Sequence, residues 1–199
     1  MATIIKPLTT QDKLSILSQD SQYDLACACG TTDADRRRRS DEGKWLYPVT
    51  LPNGGTSVLL KTLVSNVCVN DCGYCPLRAG KDVKRCVMEP EEIASVFLNY
   101  YRRRIVSGLF ISSGVIGSAD GAMERINRVA GILRKREQFR GYIHLKIIPG
   151  ASDAAIEQAL SLATTVSINI ETPGEENFKR ICGTKRYQDD IIRPLKLIS

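Results

Sequence analysis

From Ser57 onward, short β-rich apolar runs alternate with amphipathic helical stretches, whereas the residues before it hold one short helical pattern and a long polar stretch. The runs Val58 to Val67, Gly108 to Ser112, Tyr142 to Ile148 and Thr165 to Ile170 have the length and composition of strands. Between the first two, Pro90 to Arg104 opens with Pro90, Glu91 and Glu92 and carries Ile93, Val96, Phe97, Tyr100 and Tyr101 on one face, which predicts a helix. Asp120 to Arg136 repeats that pattern with Met123, Ile126, Ala130 and Leu133, and Ser152 caps a third helix that runs to Ala163. A fourth is expected after the last strand, with Thr172 as cap, Pro173 at the first helical position, Glu175 completing a capping box and Gly183 as terminator. Tyr187 to Ser199 is again helical in pattern, interrupted by Pro194. Upstream, Asp12 to Asp24 reads as a short helix and Gly30 to Gly55 as a polar loop.

Strands alternating with helices are the signature of a parallel sheet with crossover helices, so the chain divides into an N-terminal extension, 1–57, and an α/β core, 58–199, of about four βα units. Alternation inside the strands adds a face. Ile143, Leu145 and Ile147 point one way and Tyr142, His144 and Lys146 the other; Val166, Ile168 and Ile170 oppose Ser167, Asn169 and Glu171. A parallel strand covered by helices is apolar on both faces, so the polar sets are expected to line a barrel interior. His144, the one histidine, is a candidate to move a proton near neutral pH, with Lys146 beside it. The competing reading is that Lys146 pairs with Glu171 across the lumen and that His144 is a satisfied core residue.

Net charge changes the picture little. The chain carries +6, and because acids and bases balance over 1–60 the whole excess lies in 61–199. Such an excess suits a polyanionic partner and equally suits an ordinary basic domain. The dense cluster Arg36 to Arg39 is flanked by Asp33, Asp35, Asp41 and Glu42, as in a solvated loop. No apolar run approaches the ~20 residues of a membrane span, and the N-terminus lacks a secretory pattern. A cytoplasmic protein without a membrane partner is expected.

In that setting seven cysteines, an odd number, are better explained by metal ligation or redox chemistry than by a disulfide framework. Cys68, Cys72 and Cys75 place three thiols within eight residues, directly after the first strand of the βα series. Three thiolates can hold three irons of a cubane and leave the fourth open, whereas an electron-transfer cluster takes four. Zinc with Cys86 as fourth ligand is the main rival, and Cys27, Cys29, Cys86 and Cys182 would be numerous enough for a second cluster.

The spacing Cys-x3-Cys-x2-Cys, with Tyr74 just before the third cysteine, resembles the radical S-adenosylmethionine superfamily. The resemblance implies a partial TIM-like barrel, a [4Fe-4S] cluster on Cys68, Cys72 and Cys75, and S-adenosylmethionine chelated at the open iron and cleaved reductively. It implies an electron donor of flavodoxin or ferredoxin type. It also implies that Tyr74 lies beside the adenine and that Ser112, Ser113 and Gly114 meet the methionyl amino group, although the usual Gly-Gly-Glu pattern is absent. Asn169 and Glu171 are candidates to hold the cofactor's ribose or amino group. The runs Phe97 to Arg104, Gly108 to Gly114, Arg140 to Gly150 and Ser167 to Pro173 are similar to radical S-adenosylmethionine proteins associated with DNA modification or repair. That family carries a C-terminal helix-hairpin-helix region, absent from this sequence, so DNA as a partner is inherited from the resemblance. The superfamily barrel usually has six βα units, and the expectation is a core incomplete at its C-terminus. The alternatives are a zinc-stabilised basic module that binds nucleic acid without catalysis, and an electron-transfer iron-sulfur protein.

Overall fold

A computed structural model describes residues 7–23, 45–50 and 54–199. Cys27, Cys29 and the Arg36 to Arg39 cluster lie outside them. The first element among the described residues is α1 (Thr10–Asp20), where Thr9 accepts from the amide of Asp12 at 3.1 Å and Asp12 returns the bond, and a 3-10 turn continues to Tyr23. The strands β1 (Leu46–Thr50), β2 (Thr56–Leu63), β3 (Gly108–Ser112), β4 (Tyr142–Lys146) and β5 (Thr165–Ser167) form one sheet in sequence order. β1 is antiparallel to β2, and β2 to β5 are parallel.

β1 departs from the polar loop expected there. Leu46–Thr50 contains Pro48, which cannot donate to a ladder, and it is tolerated because β1 pairs on one side only, at the sheet edge. β2 leaves regular pairing at Leu63, yet Val64 still donates to Ser112 O at 2.9 Å and Ser65 bridges Val87, so the expected run to Val67 continues as irregular pairing. β5 ends at Ser167, three residues early.

The crossovers are α2 (Pro90–Arg102), α3 (Ala119–Gly131) and α4 (Asp153–Leu162). Glu92 accepts from the amide of Glu89 at 2.9 Å, Ser118 caps α3 and Ser152 caps α4, the last as expected. α3 tails into a π-helical turn over Ile132–Arg136. Phe97, Met123, Ile126, Val129 and Ile156 from these helices meet Leu60, Leu109, Ile111, Ile143 and Leu145 from one face of the sheet in the main core.

The fourth helix begins later than expected. Glu171 has φ 66° and Thr172 donates to Ile170 O at 2.8 Å, a tight turn that leaves Thr172 and Pro173 outside the helix. Gly174, at φ 85°, stands at the cap of α5 (Glu175–Ile181), and no side chain caps it. The chain ends with a π-helical turn (Tyr187–Ile192) and α6 (Arg193–Ile198), with Pro194 in the first turn, where its missing N–H costs nothing. No helix among the described residues is long and apolar enough to cross a membrane.

Register fixes the opposite, inner face. Lys61, Phe110 and His144 are opposed across β2, β3 and β4, and the next step opposes Leu63 to Ser112 and Lys146 to Ser167. The helix-covered face is apolar and the inner face carries the polar residues, so the architecture is α/β with the open interior of a partial barrel.

Candidate functional site

The cysteines sit at the C-terminal ends of the parallel strands, where βα folds gather their ligand sites. Gly114 donates to Ser65 O at 2.6 Å and Val69 to Val115 O at 3.0 Å, lacing the cysteine loop to the loop after β3. A Cβ on Gly114 would stand 2.4 Å from Val67 O, so only glycine permits this approach. Within the loop, Cys75 donates to Cys72 O at 2.9 Å, and the Arg78 guanidinium donates to Gly73 O at 2.8 Å. Arg85 donates to the carbonyls of Asn66, Leu77 and Arg78. An irregular segment has few backbone partners of its own, and this guanidinium supplies them.

The loop borders a cleft of about 140 Å³. Cys68, Cys72, Cys75 and Tyr74 line it, and so do Ser112, Ser113, Gly114, Lys146, Asn169 and Glu171. Of the residues expected from sequence to bind the cluster or cofactor or to move protons, His144 alone stays out of the lining. It lies one register step below Lys146, with Nε2 2.8 Å from Ser167 Oγ and its ring centroid 4.5 Å from that of Phe110. Lys146 Nζ donates to Asn169 Oδ1 at 2.5 Å.

Glu171, placed by its left-handed backbone, turns to the cysteine loop. The Tyr74 hydroxyl lies against the Glu171 carboxylate and the Cys72 thiol; burial first, then those neighbouring charges, push its pKa up. Burial likewise raises Cys75.

Sequence reasoning missed Asp71, Lys185 and Lys61 here, and gave a fourth residue, Cys182, only as a member of a second ligand set. Asp71 Oδ1 accepts from Gly183 N at 3.0 Å, Thr184 N at 3.1 Å and Thr184 Oγ1 at 2.9 Å. Those bonds, the Thr184 hydroxyl foremost, hold its carboxyl at about 2. Gly73 N donates to Ile181 O at 2.7 Å, so residues 181–185 are strapped over the cysteine loop. Cys182, 3% exposed, joins Cys72, Phe178 and Ile191 in a small second core, with its Sγ 3.4 Å from Cys72 Sγ. Lys185 lines the cleft; burial opposes its charge, but Cys72, Cys182 and Glu171 outweigh that and raise its pKa. Lys61 is 3% exposed, and its ammonium stands 4.5 Å from the Tyr47 ring centroid and 5.0 Å from that of Phe110. Alternation around Leu59 and Leu63 would have flagged Lys61; nothing local flags the strap.

The donor chemistry fits a cluster with one open iron. Three thiols from one loop line the cleft, and Cys182, though near, does not. With them in the lining are the Glu171 carboxylate, the Lys146 and Lys185 ammonium groups, the Asn169 amide and the Ser112 and Ser113 hydroxyls, which suit the amino, carboxylate and ribose groups of a small zwitterionic cofactor. The zinc set is not assembled, because Cys86 is 8% exposed inside the main core and does not line the cleft. Burial, then the charge of Asp20, pushes the Cys86 thiol up to about 11, as befits an inert core thiol.

The fold has solved counterparts. The FeFe-hydrogenase maturase HydG from Carboxydothermus hydrogenoformans superposes with a TM-score of 0.57 at 17% identity, over 69% of this chain and 32% of HydG. Methylornithine synthase (PylB) superposes with a TM-score of 0.58 at 15% identity, over 71% of this chain and 42% of PylB. At such identity the likeness is one of fold, and the chain spans well under half the length of either protein. No curated protein sequence matches it significantly. The family model described as the radical SAM superfamily matches residues 62–199, a stretch that opens in β2 and takes in the three thiols, the strap and the inner polar face apart from Lys61. The chain therefore belongs to the radical SAM superfamily, whose members use a [4Fe-4S] cluster and S-adenosylmethionine.

Proposed function

We propose that this chain binds a [4Fe-4S] cluster through Cys68, Cys72 and Cys75 and cleaves S-adenosylmethionine reductively to begin radical chemistry on a substrate in the barrel interior. The observation that carries this is the cleft lined by three thiols from one loop together with Lys146, Asn169, Glu171 and Lys185. When bound, the cluster supplies the single electron that breaks the sulfonium C–S bond.

The chain's own residues bind and orient. Ser112, Ser113 and the carbonyl-lined turn at Gly114 offer acceptors to the methionyl ammonium, while Tyr74 covers the adenine from the loop side. Asn169, aligned by Lys146, and Glu171 hold the ribose hydroxyls. The apolar wall of Leu63, Val115, Ile147 and Ile148 excludes water that would quench a radical. His144, one layer deeper with Ser167, and Lys146 hold or move protons on the substrate side.

The reading extends to DNA as substrate or partner through the family resemblance and the basic excess in 61–199, and to a flavodoxin- or ferredoxin-type donor in the cytoplasm. Anaerobic reconstitution should give a brown protein with about four irons and four sulfides per chain. It should release methionine and 5′-deoxyadenosine from S-adenosylmethionine under dithionite. Stoichiometric zinc without sulfide would overturn the proposal.

A further inference from the structure

We propose that Cys182 is a positioning residue for the cluster: its thiol donates a hydrogen bond to the Cys72 sulfur and thereby raises the cluster's reduction potential. The inference rests on the cluster reading above and adds a residue to it that lies outside the cysteine motif.

The geometry begins with the strap. Asp71 precedes Cys72, and its carboxylate fixes the amides of Gly183 and Thr184, while Gly73, which follows Cys72, donates to Ile181 O. Cys72 is thus clamped on both sides by the segment that carries Cys182, and the two sulfurs stand 3.4 Å apart in a buried apolar cluster with Phe178 and Ile191. A 3.4 Å S···S separation is a hydrogen-bond distance. Two thiolates on different irons of a cubane are held further apart, by the iron–sulfide edge between them. Cys182 also stands outside the cleft lining. It is therefore placed to touch a ligand and not to be one.

The direction of the bond follows from the neighbours. Cys182 Sγ donates to Asp71 Oδ1 at 3.3 Å, an oxygen that also accepts from Gly183 N, Thr184 N and Thr184 Oγ1. The thiol therefore has two acceptors within reach, a carboxylate oxygen shared with three other donors and the Cys72 sulfur at 3.4 Å, and a Cys72 thiolate on iron competes for its proton. Once Cys72 is an iron-bound thiolate it has no proton to give, so Cys182 is the donor. Reduction adds one electron and breaks no bond. The added charge spreads onto the ligand sulfurs, and a donor aimed at one of them stabilises the reduced form more than the oxidised one. Burial of the pair away from water strengthens the effect.

The test is an anaerobic potentiometric titration of the reconstituted full chain with dithionite, comparing Cys182→Ser, which keeps a donor, with Cys182→Val, which fills the space without one. Cys182→Ala repeats the second measurement should the valine variant not fold. Cys182→Ser is expected within about threefold of the parent reduction constant. The non-donor variants are expected to lower it about tenfold, a potential ~59 mV more negative for one electron. Unchanged potentials in all variants would overturn the inference and leave the cluster reading standing. Loss of the cluster in serine and valine variants alike would make Cys182 a ligand and overturn it too. A parent chain that assembles no cluster at all would remove the reading on which the inference rests, and the inference with it.

Discussion

Asp71 and Thr184 lie 113 positions apart, yet the Asp71 carboxylate accepts both the amide and the hydroxyl of Thr184, at 3.1 and 2.9 Å. Asp71→Ala removes the anchor of the strap. The carboxylate is exposed, so solvent takes over part of what is lost, and a destabilisation of about 1–2 kcal/mol is expected. Chemical denaturation reads it directly; an unmoved midpoint would show that the apolar contacts of Phe178 and Ile191 hold the strap by themselves.

Glu171 and His144 occupy different depths and should separate in their effects. Glu171→Ala is expected to leave the iron content and the melting temperature near the parent values while weakening S-adenosylmethionine binding by tenfold or more. His144→Ala removes the contact with Phe110 and the bond to Ser167, and should cost about 1–3 kcal/mol of stability with a smaller loss of affinity. Equilibrium binding and thermal melts on both variants decide it, and equal affinity losses would place His144 in the cofactor layer.

Gly114→Ala has no room for its methyl group against Val67 O. The obstacle is backbone, which cannot rotate away as a side chain would, so a loss of about 2–3 kcal/mol is expected. A variant as stable as the parent would mean that the cysteine loop can part from the end of β3.

Glu92 ties α2 to α1 by accepting from Lys13 Nζ at 2.9 Å and from Thr10 Oγ1 at 3.0 Å. Burial raises its pKa, but the amide of Glu89 and the bonds from Lys13 and Thr10 outweigh that and lower it. A carboxyl lowered on folding contributes stability that is full above its ordinary value of 4.5 and fades as pH falls below it. Melting temperatures of the parent and of Glu92→Gln should therefore differ at pH 7 and converge in acid. A constant gap across that range would count against the pair.

What sequence conveys is local, and the boundary is visible in particular residues. Gly108 to Ser112 and the capped starts at Pro90 and Ser152 were legible because a strand's apolar run and a helix's first turn are written in neighbouring positions. β1 was not, since Pro48 argues against a strand unless one knows that it lies at an edge. The start of α5 was misplaced because Thr172 and Pro173 have the chemistry of a cap, while the left-handed turn at Glu171 moves the helix on to Gly174. Alternation gave the inner face of β4 but not depth, so His144 and Lys146 read alike although only Lys146 reaches the cleft. Asp71, Cys182 and Lys185 meet through contacts about 110 residues long, for which the chain has no local spelling.

The Arg134 guanidinium donates to Leu162 O at the end of α4, to Phe139 O and Gly141 O before β4, and to Thr164 Oγ1 before β5. One planar cation thus closes the lower ends of two successive βα units, and neither can open without stranding acceptors of the other. The two should exchange their amide protons as one cooperative block, with Arg134→Lys splitting the block, because an ammonium on a flexible stem cannot reach all four oxygens at once.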